Sequence, residues 1–363
     1  MWAMDAFERA IREQGEVFAQ ALPALAGAVA ATGSVLRRWG EDGGRRGPLW
    51  IAGMGSSFHA AVAGAVAFQR RGWPALAVEA AELLHYGLGA VTPESPVLLV
   101  SQSGESAEVV ALLERLRGHE RLLGVTNEAG STLGREVPLV LPLALPPDGG
   151  VAVKTFGWSL AALVLLAEEA AGGAREAGVG AAAGGARAAL EEAVEHLRRD
   201  GEALFAAARA AVQLFEPGRT PVFVGRGPAL ATAGQAALTF QEVLARPALA
   251  MGAGQFRHGP MELFGGEVVL AAVARGSTAD LVRRLAGEAE TSACPVLLLD
   301  EGNGVEWAPT EAGDGYLEVP ALADELAPLY DVAFFQALVG ALAAREGRTP
   351  GQFQFADPVT REE

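Results

Sequence analysis

One cysteine, Cys294, and one lysine, Lys154, occur among the 363 residues. A lone thiol excludes an internal disulfide framework and any metal site built from several cysteines. A lone lysine confines side-chain amine chemistry to a single place and leaves all other fixed positive charge to arginine. No HExxH, paired CxxC or EF-hand pattern is present, so nothing argues for a metal ion. No GxSxG elbow supports a serine hydrolase, although the residue types of a Ser–His–Asp triad all occur. Apolar runs are short: the longest, around 160–167, stops at Glu168, below the roughly 18 residues of a membrane span. No basic-then-apolar leader with a small-residue cleavage site opens the chain. The expectation is a reduced, cytoplasmic protein that engages no membrane. Positive charge is scarce too, 28 Lys and Arg against 44 Asp and Glu, for a net charge of −16. That balance argues against nucleic acid as a partner, because its binding rests on neutralised phosphates. A small anion can still be held locally by backbone N–H groups and hydroxyls.

What the chain does have is apolar content and glycine: half its residues are hydrophobic, a fifth are charged and 46 are Gly. Such a composition buries a large core, and 363 residues exceed the size at which single cores stop growing, about 250–300 residues. Two domains follow. Residues from Met1 to about Leu25 have the apolar spacing of an amphipathic helix. Short apolar strands then alternate with helical stretches: strands at Pro48–Ala52, Pro96–Val100, Arg121–Val125 and Pro138–Leu141, helices at Ser57–Arg70, Ser106–Leu116 and Thr155–Glu169. Near-continuous apolar strands suit a parallel sheet covered on both faces. A second series, Pro221–Val224, Glu267–Val273, Pro295–Leu299 and Tyr316–Val319, repeats the order with similar spacing, and each series has a glycine turn after its first strand (GMGSS at 53–57, GRGPA at 225–229). The expected fold is α/β, two doubly wound parallel-sheet domains related by internal duplication. Residues 1–190 would hold the N-terminal helix and the first domain, 191–345 a linker helix and the second, and 346–363 a tail. The Ala- and Gly-rich stretch after Ala170 reads as a loose connection.

Four constellations could carry chemistry. Gly53-Met54-Gly55-Ser56-Ser57 follows a strand and opens a helix, where unpaired N–H groups and two hydroxyls face an anion; taken alone it is also an ordinary βα turn with a serine cap. It lacks the third glycine of a dinucleotide fingerprint and a Walker lysine. Ser101-Gln102-Ser103-Gly104-Glu105-Ser106 forms a second hydroxyl-rich helix start after the next strand, and in an open α/β sheet two such loops converge beside the switch point. Lys154, in Gly150-Val151-Ala152-Val153-Lys154-Thr155-Phe156, sits at a helix start near the same edge, or is a solvated surface lysine. Glu242 lies in an apolar helical stretch, where burial raises a carboxyl pKa and favours a base; His258 follows sixteen residues later in Arg257-His258-Gly259-Pro260. Singly, these read as a surface carboxylate and a loop histidine. His59 and His85 are weaker candidates, and His119 and His196 look like solvated surface positions.

Together GMGSS, SQSGES with VTNEAGSTLGRE, GVAVKTF and QEVLARPALAMGAGQFRHGP resemble the tandem sugar-isomerase (SIS) domain family over nearly the whole chain. The likeness is greatest to its aminosugar-phosphate branch, which includes the isomerase half of glutamine–fructose-6-phosphate transaminase. The resemblance implies that Ser57, Ser101, Gln102, Ser103 and Ser106 hold a substrate phosphate, with Gly55, Ser56 and Val151 lining the pocket and Lys154 beside it. It implies Glu242 as the proton carrier between C1 and C2, and His258 as the ring-opening histidine, supplied in the family by a neighbouring subunit; a homodimer with shared active sites follows. Aminotransferring members have a lysine three residues before the glutamate, where this chain has Thr239, and another near the C-terminus, where it has Ala356 and Asp357. With no lysine in the second half and no glutaminase half, glutamine-dependent amidotransfer is not expected. The resemblance therefore implies a phosphosugar isomerase acting on a hexose- or aminohexose-6-phosphate, with or without deamination and without a cofactor. The alternative is a non-catalytic sugar-phosphate sensor; a dinucleotide-dependent oxidoreductase fits least.

Overall fold

The computed structural model describes residues 6–43, 47–172, 185–309, 314–355 and 359–361. Most of the Ala/Gly-rich connection and the tail positions Ala356 and Asp357 lie outside the described residues. By contacts the chain divides into two units. One contains 17–147, Lys154–Leu190 and residues from Gln354 on; the other contains residues through Glu16, Asp148–Val153 and Glu191–Phe353. The N-terminal turns thus group with the second half and the last residues with the first.

Helix α1 (Ala6–Glu41) runs well past the expected end near Leu25 and contains Pro23. Proline costs a helix one hydrogen bond and a steric clash. Here it sits on the exposed face, while Leu22, Leu25, Val29, Thr32 and Leu36 carry a buried stripe onward at helical spacing.

The first unit's sheet has strands β1 (Leu49–Gly53), β2 (Ala75–Glu79), β3 (Val97–Val100), β4 (Leu122–Thr126) and β5 (Leu139–Pro142). All pair in parallel, in the order β2-β1-β3-β4-β5. Helices α2 (Ser56–Arg70), α3 (Ala80–Glu82, continuing as a π turn Leu83–Gly87), α4 (Ala107–Arg115), α5 (Thr132–Glu136) and α6 (Lys154–Ala171) connect or cover them. Side chains of β3, β4 and α4, among them Val97, Leu99, Val109, Leu112 and Leu122, share one buried cluster. Every residue of β3 is buried, which is why it reads as an unbroken apolar run. The edge strand β2 was not expected, because only Ala75 in it is buried.

The second unit begins with α7 (Gly185–Ala211) from Glu191 onward, then β6 (Thr220–Gly225), α8 (Ala229–Leu244), β7 (Leu249–Gly252), α9 (Ala253–Phe256), β8 (Val268–Ala274), α10 (Ala279–Thr291), β9 (Val296–Gly302), β10 (Glu306–Pro309), β11 (Gly315–Pro320) and α11 (Ala327–Glu346). Its sheet runs β10-β11-β9-β8-β6-β7, with only β10 antiparallel. Without β10, this is the order of the first sheet. Two helices, α1 and α11, are long and apolar enough to cross a membrane by length and composition; 83% of the α11 window is buried in the protein, as a core helix would be.

Candidate functional site

The two loops singled out in the first unit leave the sheet side by side. Gly53 of β1 pairs with Val100 of β3, so Met54–Ser57 and Ser101–Ser106 emerge together at the carboxyl edge. Strand order reverses between β1 and β3, which makes this edge the switch point where open α/β sheets bind ligands. Gly55 is exposed, with φ 50°, and the helix it precedes turns its first N–H groups toward the edge. Ser56 and Ser57 are half-buried in the first turn of α2, and Ser57 N donates to Met54 O at 3.0 Å.

The second loop is shaped by its own hydroxyls. Buried Ser101 Oγ accepts from Gly104 N at 3.0 Å and lies 3.3 Å from Ser106 Oγ; Ser103 Oγ accepts from Glu105 N at 3.2 Å. Gly104 has φ 64°, and a Cβ there would come within 2.0 Å of Ser131 Oγ, so no other residue fits without rearrangement. Gln102 O accepts from Asn127 N at 3.1 Å and Thr126 Oγ1 at 3.2 Å, which ties the loop to the end of β4. The loop's one acid, Glu105, is turned toward α5: its carboxylate accepts from Thr132 N at 2.7 Å and Thr132 Oγ1 at 2.9 Å. Those bonds hold its pKa below the ordinary value. These supporting residues, Thr126, Asn127, Ser131 and Thr132, lie in VTNEAGSTLGRE; the segment stood out, but their roles needed coordinates. A hydroxyl-rich, lysine-poor rim of this kind binds an anion through oriented dipoles.

His59, in the first turns of α2, is pushed down to about 4 by burial and is neutral at pH 7. Lys154 is fully buried at the start of α6, not a solvated surface lysine. Val151 is buried in the loop before it. His119 is also no free surface residue, since its Nε2 lies 2.8 Å from Ser95 O. His196 differs likewise from its surface reading: its Nδ1 is 3.1 Å from Asp200 Oδ2, which also accepts from Tyr330 OH at 3.1 Å.

In the second unit, Glu242 lies in the last turn of α8. Its Oε2 is buried and has no hydrogen-bond partner among the described residues. Burial pushes the carboxyl up to about 7, because desolvation penalises the charged form. His258 is exposed, in the loop after α9, where its N donates to Gln255 O at 2.9 Å.

Residues 47–168 match the family model described as "SIS domain". The chain contains a SIS domain. Over 318 residues it is 34% identical to the glutamine–fructose-6-phosphate aminotransferase [isomerizing] of Aeropyrum pernix, covering 84% of this chain and 49% of that protein. The chain therefore spans about half the length of the curated relatives it matches. Its fold is similar to the C-terminal domain of glucosamine-fructose-6-phosphate aminotransferase from Francisella tularensis (TM-score 0.76, 19% identity, 96% of this chain and 98% of that one). It is also similar to tagatose-6-phosphate ketose/aldose isomerase from Escherichia coli (TM-score 0.74, 19% identity, 97% and 96%). At these identities the likeness to the solved structures is one of fold.

The second sheet's own switch point opens on different residues. Where the first unit has Ser101 and Gln102 after β3, the second has Arg275 after β8, buried and bonded to the buried Asp331 carboxylate and to Pro320 O at 2.6 Å. The next residue, Gly276, donates its N–H to Glu301 Oε2 at 3.1 Å. An ion pair and a carboxylate thus stand at the first two positions of this loop, with the hydroxyls of Ser277 and Thr278 following them.

Proposed function

We propose that this chain is a phosphosugar isomerase that interconverts the aldose and ketose forms of a hexose 6-phosphate or 2-amino-hexose 6-phosphate. Glu242 carries the reading. A carboxyl on an apolar helix, its Oε2 buried without a partner and its pKa raised to about 7, is balanced between base and acid at neutral pH, as proton shuttling between two carbons requires. The hydroxyl loops at 54–57 and 101–106 would hold the phosphate, with Val151 and Lys154 beside them. The exposed His258 would assist ring opening, delivered across the interface of a homodimer. Names among the relatives support the reading: an isomerizing glutamine–fructose-6-phosphate aminotransferase in Aeropyrum pernix and a tagatose-6-phosphate ketose/aldose isomerase in Escherichia coli.

In the open sugar, the Glu242 carboxylate takes the C2 proton while O1 gains one, leaving an enediol. Returning a proton to C1 and losing one from O2 completes the ketose. With nitrogen at C2 the same sequence leaves an iminium at C2, which water hydrolyses to the ketose and ammonia. Amidotransfer has no support in this chain's own residues: Thr239, in the position of the family's lysine, is a buried neutral hydroxyl that accepts from Gln235 Nε2 at 3.2 Å.

The test is incubation with glucosamine 6-phosphate and a panel of hexose 6-phosphates, measuring ketose and ammonia. Turnover lost in Glu242→Gln, with no wash-in of solvent deuterium at C1 or C2, is the expected result; wash-in retained by that variant refutes the role of Glu242. Binding without turnover across the panel would replace the enzyme reading with the sensor.

A further inference from the structure

Between Ser57 and Gln69, helix α2 has a single polar side chain, His59. A desolvated imidazole in so apolar a helix costs stability unless something bonds to it. Among the described residues nothing does: the ring has no hydrogen-bond or ion-pair partner, and its aromatic neighbour is Phe58, 5.6 Å away between centroids. Burial keeps it neutral at pH 7, so it offers one donor and one acceptor. The helix also sets where it can act. Gly55, His59, Val62, Val66 and Gln69 succeed one another at intervals of four, three, four and three residues and share one face. That face is the one left open: Gly55 and Gln69 are exposed and the other three half-buried, whereas Ala60, Ala61, Gly64 and Phe68 are buried. His59 N donates to Gly55 O at 3.1 Å, which puts the two one turn apart. A helical side chain leans toward the N-terminus and covers the turn before its own Cα. For His59 that is the turn of Gly55 and Ser56, at the carboxyl edge of the sheet.

Resting on the reading of the loops at 54–57 and 101–106 as a phosphosugar cradle, we propose that His59 hydrogen-bonds the hydroxyls at C4 and C5 of the bound hexose 6-phosphate and so sets which sugars the cradle accepts. A group over the Gly55–Ser56 turn meets the phosphate-bearing end of the sugar first, because only the ester oxygen, C6 and C5 separate the phosphorus from the C5 oxygen. The reacting carbons, C1 and C2, lie at the other end, so His59 takes no part in the proton transfer assigned to Glu242. A neutral imidazole suits neighbouring hydroxyls, each of which also donates and accepts. It brings no charge to the phosphate, which is left to the serines and backbone N–H groups. A sugar lacking those hydroxyls leaves the imidazole desolvated and unpaired, which is how a polar group in a site rejects an analogue.

Sorbitol 6-phosphate is the probe, since its open chain carries both hydroxyls and has no carbonyl to isomerise. By calorimetry the wild type should bind the 4,5-dideoxy analogue about tenfold more weakly, as the loss of one or two hydrogen bonds predicts. Equal affinity for the two would overturn the proposal without any variant. His59→Leu should weaken sorbitol 6-phosphate by a similar factor, bind the two hexitol phosphates alike, and leave inorganic phosphate within about twofold of wild type. His59→Gln, which keeps a donor and an acceptor, should recover most of the loss. If His59→Leu weakens inorganic phosphate as much as the hexitol phosphate, or weakens neither, the proposal falls and the cradle reading stands. A wild type that binds sorbitol 6-phosphate but converts no sugar defeats the isomerase reading alone, and the analogue still decides on His59. A wild type that binds neither hexitol phosphate nor inorganic phosphate defeats the cradle and this proposal together.

Discussion

Glu242 shows most plainly how the proposed catalytic role and stability oppose each other at one residue. Its carboxyl titrates near 7 in the folded chain against an ordinary 4.5, so the native state binds the extra proton between those values. Stability therefore falls as pH rises through that window, and the full penalty, on the order of 2–3 kcal/mol, is present above it. Glu242→Gln should thus raise the denaturation midpoint at pH 8, change it little at pH 4, and abolish isomerisation; an unchanged midpoint at pH 8 would show that the carboxylate is well solvated. The apolar surroundings of Glu242 were legible in the sequence, and burial and a raised pKa follow from them. The fates of Lys154 and His196 were not. A lysine at a helix start and a histidine in a charged helix look alike whether solvated or packed, because only the arrangement of distant segments decides which face is covered.

At the scale of elements, the phosphate-type loop depends on one backbone conformation. Gly104→Ala would force a side chain onto a φ of 64° and into Ser131 Oγ. The expected result is a loss of about 1–3 kcal/mol in stability and at least tenfold weaker binding of a sugar phosphate, read by calorimetry. The second unit's counterpart is built for a different end. Asp331→Asn leaves Arg275 buried against a neutral partner, and breaking such a pair costs about 3–5 kcal/mol; a drop in the urea midpoint with the second unit melting first is the outcome to look for. The central strands were readable because all their residues are buried and apolar. The edge strands β2 and β7 were not, since β7 has no buried residue and an edge strand is specified by its one neighbour more than by its own pattern. Pro23 does not end α1, because the buried stripe on either side outweighs its missing hydrogen bond.

For the whole molecule, the two sheets share one strand order, while the loops at their switch points open on different residues, Ser101 and Gln102 in one and Arg275 and Gly276 in the other. If His258 acts across a dimer interface, each active site draws on two chains. Mixing inactive Glu242→Gln with inactive His258→Asn under conditions of subunit exchange should then restore about a quarter of wild-type activity, because half the dimers are mixed and each mixed dimer has one intact site of two. No recovery despite demonstrated exchange would place both residues in one chain's site.

The sequence by itself determined the α/β class, the order of the central strands along the chain and the hydroxyl character of the two loops. Those properties are local, set by side-chain periodicity and by which residues tolerate a tight turn. Only the tertiary structure decided that β1 and β3 lie side by side, that Glu105 is turned toward α5, and that Arg275 fills the second edge. Each of these depends on burial and pairing between residues far apart in the chain, and no local pattern records which partner will supply the hydrogen bond or exclude the water.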